Sequence, residues 1–122
     1  MYRNIDERTK KWIDKLLSVE FRGKNILLDQ LLKSKMMYKQ EYEYISIKFI
    51  VEGKIQYYPY QVRVPIEMYA YQSFSCPIIF LLHIVNGVVD ELEIVTADLS
   101  QINPNDIELG NVVYKIKEEL IL

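Results

Sequence analysis

A single cysteine, Cys76, and a single histidine, His83, are all that this 122-residue chain holds of the two most versatile ligating and nucleophile-activating side chains. One cysteine excludes an internal disulfide and any multi-cysteine zinc site, and its residue type reads as an ordinary buried thiol. One histidine among scattered carboxylates lacks the clustered ligands of a zinc centre, so neither a metal nor a cofactor is expected. Long hydrophobic runs are missing as well. The longest, Ile78–Val85, contains His83 and falls far short of the ~20 residues of a membrane helix, so no membrane partner is expected. Residues 1–11 are charged and show no apolar run followed by a small-residue cleavage site, which predicts a soluble, cytoplasmic protein. Only four glycines and four prolines leave no room for a linker or a low-complexity segment, and the length suits one domain, 1–122, with a real core.

The strongest positive signal lies in residues 77–98. Two β-branched, apolar runs are separated by Asn86-Gly87, the pair that a two-residue hairpin turn with positive φ at both positions demands. A regular hairpin with this turn predicts that His83 faces Asp90, Leu81 faces Leu92 and Phe80 faces Glu93. Ile79, Leu81, Val85, Val88, Leu92 and Ile94 then form the core face. Ile78, Phe80, Leu82, Ile84, Val89 and Val95 form the other, interrupted by Glu91 and Glu93.

Upstream, Ile5, Thr9, Trp12, Ile13, Leu16 and Leu17 recur at helical spacing, and Asn4 with Glu7 resembles a capping box that starts a helix near Ile5. Phe21-Arg22-Gly23 is a break, and Ile26, Leu27, Leu28, Leu31 and Leu32 form a second, shorter helix ending near Ser34. From Met36 the period becomes two. Residues 45–51 alternate, Glu52-Gly53-Lys54 turns the chain, and 55–64 reads as a second strand, at an edge or interrupted at Pro59, which lacks a ladder donor. Residues 65–75 are read as irregular, and a last strand is expected at 112–116. The sum is an α+β fold, an antiparallel sheet of about five or six strands with the two N-terminal helices packed on one face.

The run Leu82-His83-Ile84-Val85-Asn86-Gly87, followed by Glu91-Leu92-Glu93-Ile94 and Ala97-Asp98, resembles the signature of a group of small bacterial domains in which a strand ending L-H-x-V-x-G turns into E-L-E-I. Some of these domains are found beside polymorphic toxin genes. The resemblance therefore implies an immunity protein, a small partner that binds and neutralises one cognate toxin.

Three functional readings stand beside one another. An imidazole opposite a carboxylate, His83 with Asp90, is the arrangement of an oriented general base, although a polar pair closing a hairpin looks the same. Cys76 lies an odd number of residues from His83, hence on the opposite strand face, so no nucleophile joins the pair and no catalytic residue is assigned. Eight of the ten tyrosines fall between residues 38 and 71, a density that suits either strands or a recognition surface. Residues 64–114 carry seven Asp/Glu and no Lys or Arg, whereas residues 1–63 carry 13 Lys/Arg and 8 Asp/Glu. Net acidity and the lack of a phosphate-cradling glycine loop argue against nucleic acid. The favoured reading is a non-enzymatic module that binds a cognate protein toxin, such as a nuclease, through an acidic, tyrosine-rimmed surface of Glu91, Glu93, Tyr57, Tyr58, Tyr60 and Asp98. A small enzyme built on His83 and Asp90 and a structural homodimer are the alternatives.

Overall fold

The computed structural model describes residues 1–72 and 77–122. Among these residues two α-helices and a seven-stranded antiparallel sheet follow along the chain as β1 (Arg3–Asn4), α1 (Glu7–Leu16), α2 (Lys24–Leu32), β2 (Ser34–Gln40), β3 (Tyr44–Val51), β4 (Ile66–Gln72), β5 (Ile78–Val85), β6 (Val88–Thr96) and β7 (Ile107–Ile116). The strands lie in the order β1-β2-β3-β6-β5-β4-β7, one or two more than the sequence predicts. The architecture is α+β. Among the described residues no helix is long and apolar enough to cross a membrane.

Helix α1 begins two residues later than its apolar periodicity suggests. Asp6 is the N-cap, its carboxylate accepting a hydrogen bond from the Thr9 N–H at 2.8 Å, while Asn4 pairs with Lys35 in the sheet and caps nothing. Burial would push the Asp6 carboxyl up, but the Thr9 hydrogen bonds and the Arg3 and Arg8 charges outweigh it and hold it below its ordinary value. Trp12, Ile13 and Leu16 from α1 and Leu27 and Leu31 from α2 share one buried cluster with Met36, Ile45, Ile47, Met68, Phe80, Leu82, Leu92 and Ile94 from the strands. Trp12 meets Phe80 edge-on, with ring centroids 5.7 Å apart.

The hairpin turn forms at Asn86-Gly87, with φ of 52° and 77°, and pairs Val85 with Val88 and Ile84 with Val89. Beyond it the register slips, because Asp90 is an extra residue and His83 pairs with Glu91 in its place. The expected His83–Asp90, Leu81–Leu92 and Phe80–Glu93 pairs are therefore replaced by His83–Glu91, Leu82–Leu92, Leu81–Glu93 and Phe80–Ile94. A regular ladder would have carried Glu91 and Glu93 inward together with Val89. The extra residue flips the parity, so that Val89, Leu92, Ile94 and Thr96 are all buried and both glutamates point outward. On β5 the buried side is Ile78, Phe80, Leu82 and Ile84, the reverse of the expected core face.

Two further expectations are corrected. Residues 55–64 form no strand. They strap the hairpin turn to α2 through Tyr58 N–H to Gly87 O at 2.9 Å, Ile84 N–H to Arg63 O at 2.7 Å, and the Gln30 amide to Gln56 O and Gly87 O, both at 2.9 Å. Pro59 has no N–H to give to a ladder, so backbone groups here are satisfied one at a time. Conversely, 66–72 is a strand, with Ile66, Met68, Ala70 and Gln72 buried in strict alternation. The rest of the expected irregular segment, 73–75, and Cys76 lie outside the described residues. The last strand starts at Ile107, five residues ahead of the expected 112.

Candidate functional site

The strand side chains that alternate with the buried ones are half-buried or exposed and stand in rows across the sheet. One row is apolar and aromatic: Val113, Tyr69, Ile79, Val95 and Tyr44, contributed in turn by β7, β4, β5, β6 and β3. Towards the hairpin turn follows Lys115, Glu67, Leu81, Glu93, Ser46 and Lys39. Next comes His83, Glu91, Lys48 and Met37, with Arg63 beside His83.

The last two rows are tied into a polar network. Arg63 Nε donates to His83 Nδ1 at 3.1 Å, and His83 Nε2 lies 3.0 Å from Glu93 Oε1. An arginine can only donate, so Nδ1 is the lone-pair nitrogen and Nε2 carries the hydrogen that Glu93 accepts. Glu91 accepts from the Ser46 hydroxyl and lies 3.6 Å from Lys48 Nζ, which is also 3.4 Å from Asp90. Burial would depress the Lys48 ammonium, but the Glu91 and Asp90 carboxylates outweigh it and raise it, so this side chain stays a fixed positive charge.

Chemically, the arrangement differs from an oriented base. Asp90 pairs with Lys48 and not with His83, and the carboxylate that reaches the imidazole belongs to Glu93. The second nitrogen, which a general base would turn towards its substrate, is taken by Arg63. Ser46, the hydroxyl nearest in register, gives its hydrogen to Glu91. Among the described residues no group of three or more His, Cys, Asp or Glu gathers as a metal site would require.

The residues singled out in the sequence are only partly brought together. Glu91 and Glu93 are neighbours on the outward face, where with Met37, Tyr44, Ser46 and Lys48 they line a shallow depression. Their charge is not the unopposed acidity that the sequence segment suggests, because Lys48 and Arg63 arrive from β3 and from the 52–65 strap. Tyr57 is exposed and sits against Gly87 at the hairpin tip. Tyr58 is 4% exposed, donates its hydroxyl to Arg22 O at 2.7 Å and packs edge-on against the half-buried Tyr60, so it pins the strap and takes no part in a surface rim. Asp98 belongs to the turn after β6, where its carboxylate accepts from Ser100 N–H at 3.1 Å. It stands seven residues beyond Glu91, roughly 20 Å at the rise of an extended strand.

Arg63, Lys48 and Ser46 were not legible as partners of the glutamates, since only the β3–β6 pairing and the strap bring them together. Lys48 and Ser46 did carry one signal, the polar parity of an otherwise apolar strand. Scanned against protein-family models and searched against curated proteins and solved structures, the chain matches none.

Proposed function

We propose that this protein is a binding module and not a catalyst, and that its partner is a cognate bacterial toxin held at the hairpin end of the outward sheet face. The observation that carries this reading is the engagement of both His83 nitrogens by Arg63 and Glu93, which leaves the one imidazole as a clamp between β5, β6 and the strap. Around it stand the elements that protein recognition uses. Charges of both signs are held in fixed positions by their neighbours, and Met37 and Tyr57 add exposed apolar and aromatic surface beside them. The L-H-x-V-x-G and E-L-E-I resemblance supports a toxin as the partner, and a nuclease, whose active site is basic, is the class that Glu91 and Glu93 complement. Lys48 and Arg63 already offset part of that acidity, so partner choice rests on the placement of charges and not on bulk attraction.

Co-expression with a toxin encoded beside the gene tests the reading. Expected are a stoichiometric complex and rescue of growth, with the Glu91→Gln, Glu93→Gln double variant binding about tenfold more weakly or worse while remaining folded. A toxin that is neither bound nor neutralised would overturn it. So would a chemical turnover that disappears in a folded His83→Ala variant.

A further inference from the structure

We infer that the apolar row of the outward face is a self-association surface, on which a second copy of this chain packs face to face about a two-fold axis running along the row. The inference goes beyond the toxin reading and does not depend on it. Three observations converge on a second copy as the occupant.

The sheet edges are poorly suited to pairing. β1 offers two residues, and the register between β4 and β7 shifts between Tyr69 and Tyr71, so that Leu109–Val112 stand out of step with the ladder on the other edge. Association through the sheet is thus left to its face.

Next, the row is self-complementary. Rotation about an axis through Val113, Tyr69, Ile79, Val95 and Tyr44 lays the row on itself and brings each position two residues to one side of it onto the position two residues to the other side in the partner copy. In β4 this sets Glu67 of one copy over Tyr71 of the other. In β7, where Lys115 stands opposite Glu67 and Glu108 opposite Tyr71, it sets Lys115 over Glu108 of the other copy. A carboxylate meets a hydroxyl, a cation meets a carboxylate, and both contacts occur twice. Glu93 falls over the position of Ala97, so no like charges are opposed there. Tyr71, at 42% exposure, and Val113, at 59%, are large apolar surfaces left to solvent on a single copy and covered in this arrangement.

The size suits a weak dimer. Five strands at about 4.8 Å spacing carry two full rows of side chains, and only β4 and β7 carry the third, through Tyr71 and Glu108, which gives a footprint on the order of 400 Å² per copy. That is roughly 800 Å² in total, the range of weak, transient interfaces, so a reversible dimer with a Kd on the order of 100 μM is expected. The row carrying His83, Glu91 and Lys48 lies outside the footprint, whereas Glu93 falls within it, so the dimer leaves Glu91 free and competes with a toxin for Glu93 alone.

Sedimentation equilibrium of the purified chain, without any toxin, is the test. Mass is expected to rise from 14.5 kDa towards twice that value as concentration is raised to the order of 100 μM. Val113→Lys should hold the protein monomeric, with a melting transition unchanged at concentrations where the parent chain is itself monomeric. Lys115→Glu and Glu108→Lys should each weaken association about tenfold, and the double variant should restore it, since each site meets the other across the axis. A 14.5 kDa species at the highest concentration, or a dimer indifferent to both Val113→Lys and the charge swap, would overturn the inference. Either result leaves toxin binding at Glu91 to be judged by its own experiment.

Discussion

His83 and Glu93 are joined across β5 and β6 by a 3.0 Å hydrogen bond, although the pairing partner of His83 in the ladder is Glu91. The contact is diagonal, and the extra residue at Asp90 makes it possible by turning both glutamates to the outward side. A double-mutant cycle between His83→Ala and Glu93→Ala should accordingly show a coupling of about 0.5 to 1.5 kcal/mol. The cycle with Asp90→Ala should show none, and a reversal of the two results in urea denaturation would restore the regular register.

The orientation of β5 has an equally direct consequence. Leu82 and Leu92 are opposed and fully buried, so truncating either to Ala should cost ~2 to 5 kcal/mol. Leu81 stands on the outward side opposite Glu93, and Leu81→Ala should cost clearly less. Equal losses at Leu81 and Leu82 would contradict the assigned faces.

Gln30 is fully buried in α2, and its side chain holds three backbone groups: Gln56 O, Gly87 O and the N–H of Val89 at 2.8 Å. They belong to the strap, to the hairpin turn and to the start of β6. Gln30→Leu keeps the volume but strands Gln56 O and the Val89 N–H, at about 1 to 3 kcal/mol for each one left buried, while Gly87 O keeps the Tyr58 N–H. Denaturation should show a loss of at least ~2 kcal/mol, and amide exchange of Val89 should accelerate.

Two glycines with similar backbone should respond differently to alanine. Gly23 and Gly53 both have positive φ, 78° and 83°, which costs an alanine about 1 kcal/mol. At Gly53 a Cβ meets nothing, whereas at Gly23 it would stand 2.5 Å from Cε1 of the Tyr58 ring. Tyr58 is held by Arg22 O and cannot swing away without loss, so Gly23→Ala should be the more destabilising by at least ~1 kcal/mol.

Burial pushes the Tyr58 phenol from 10.0 up to about 12, with a smaller contribution from Tyr60. The folded state therefore retains this proton where the unfolded chain loses it. Stability from Tyr58 is fully present below pH 10 and drains away as pH rises from about 10 towards about 12. Tyr58→Phe should show a flatter profile over that window, and parallel profiles would show that the hydroxyl is solvated.

Much of this molecule follows from local chemistry that the sequence displays. Apolar spacing around Trp12, Ile13 and Leu16 marks the first helix, and the demand for positive φ marks the turn at Asn86-Gly87. The alternation of Ile45, Ile47 and Phe49 marks a half-buried strand. Each rests on sterics and hydrogen bonds within a few residues, which is the range a sequence pattern reports. The odd step from Val89 to Leu92 also foreshadows the extra residue at Asp90, and the alternation of Ile66, Met68 and Ala70 foreshadows β4.

Other features were settled only by the tertiary structure. β5 is apolar on both sides, so its own residues cannot choose which side is buried; β4, β6 and Trp12 choose for it. The 52–65 strap has strand-like composition but takes its shape from Gln30, Gly87 and Arg22, which lie far away in the chain. The acidity of residues 64–114 is real in sequence, yet Lys48 and Arg63 from outside that segment temper it on the folded face. Strand pairing is non-local, and the meeting of charges on a sheet depends on which strands become neighbours, a choice made by the burial of the whole core and not by any one segment.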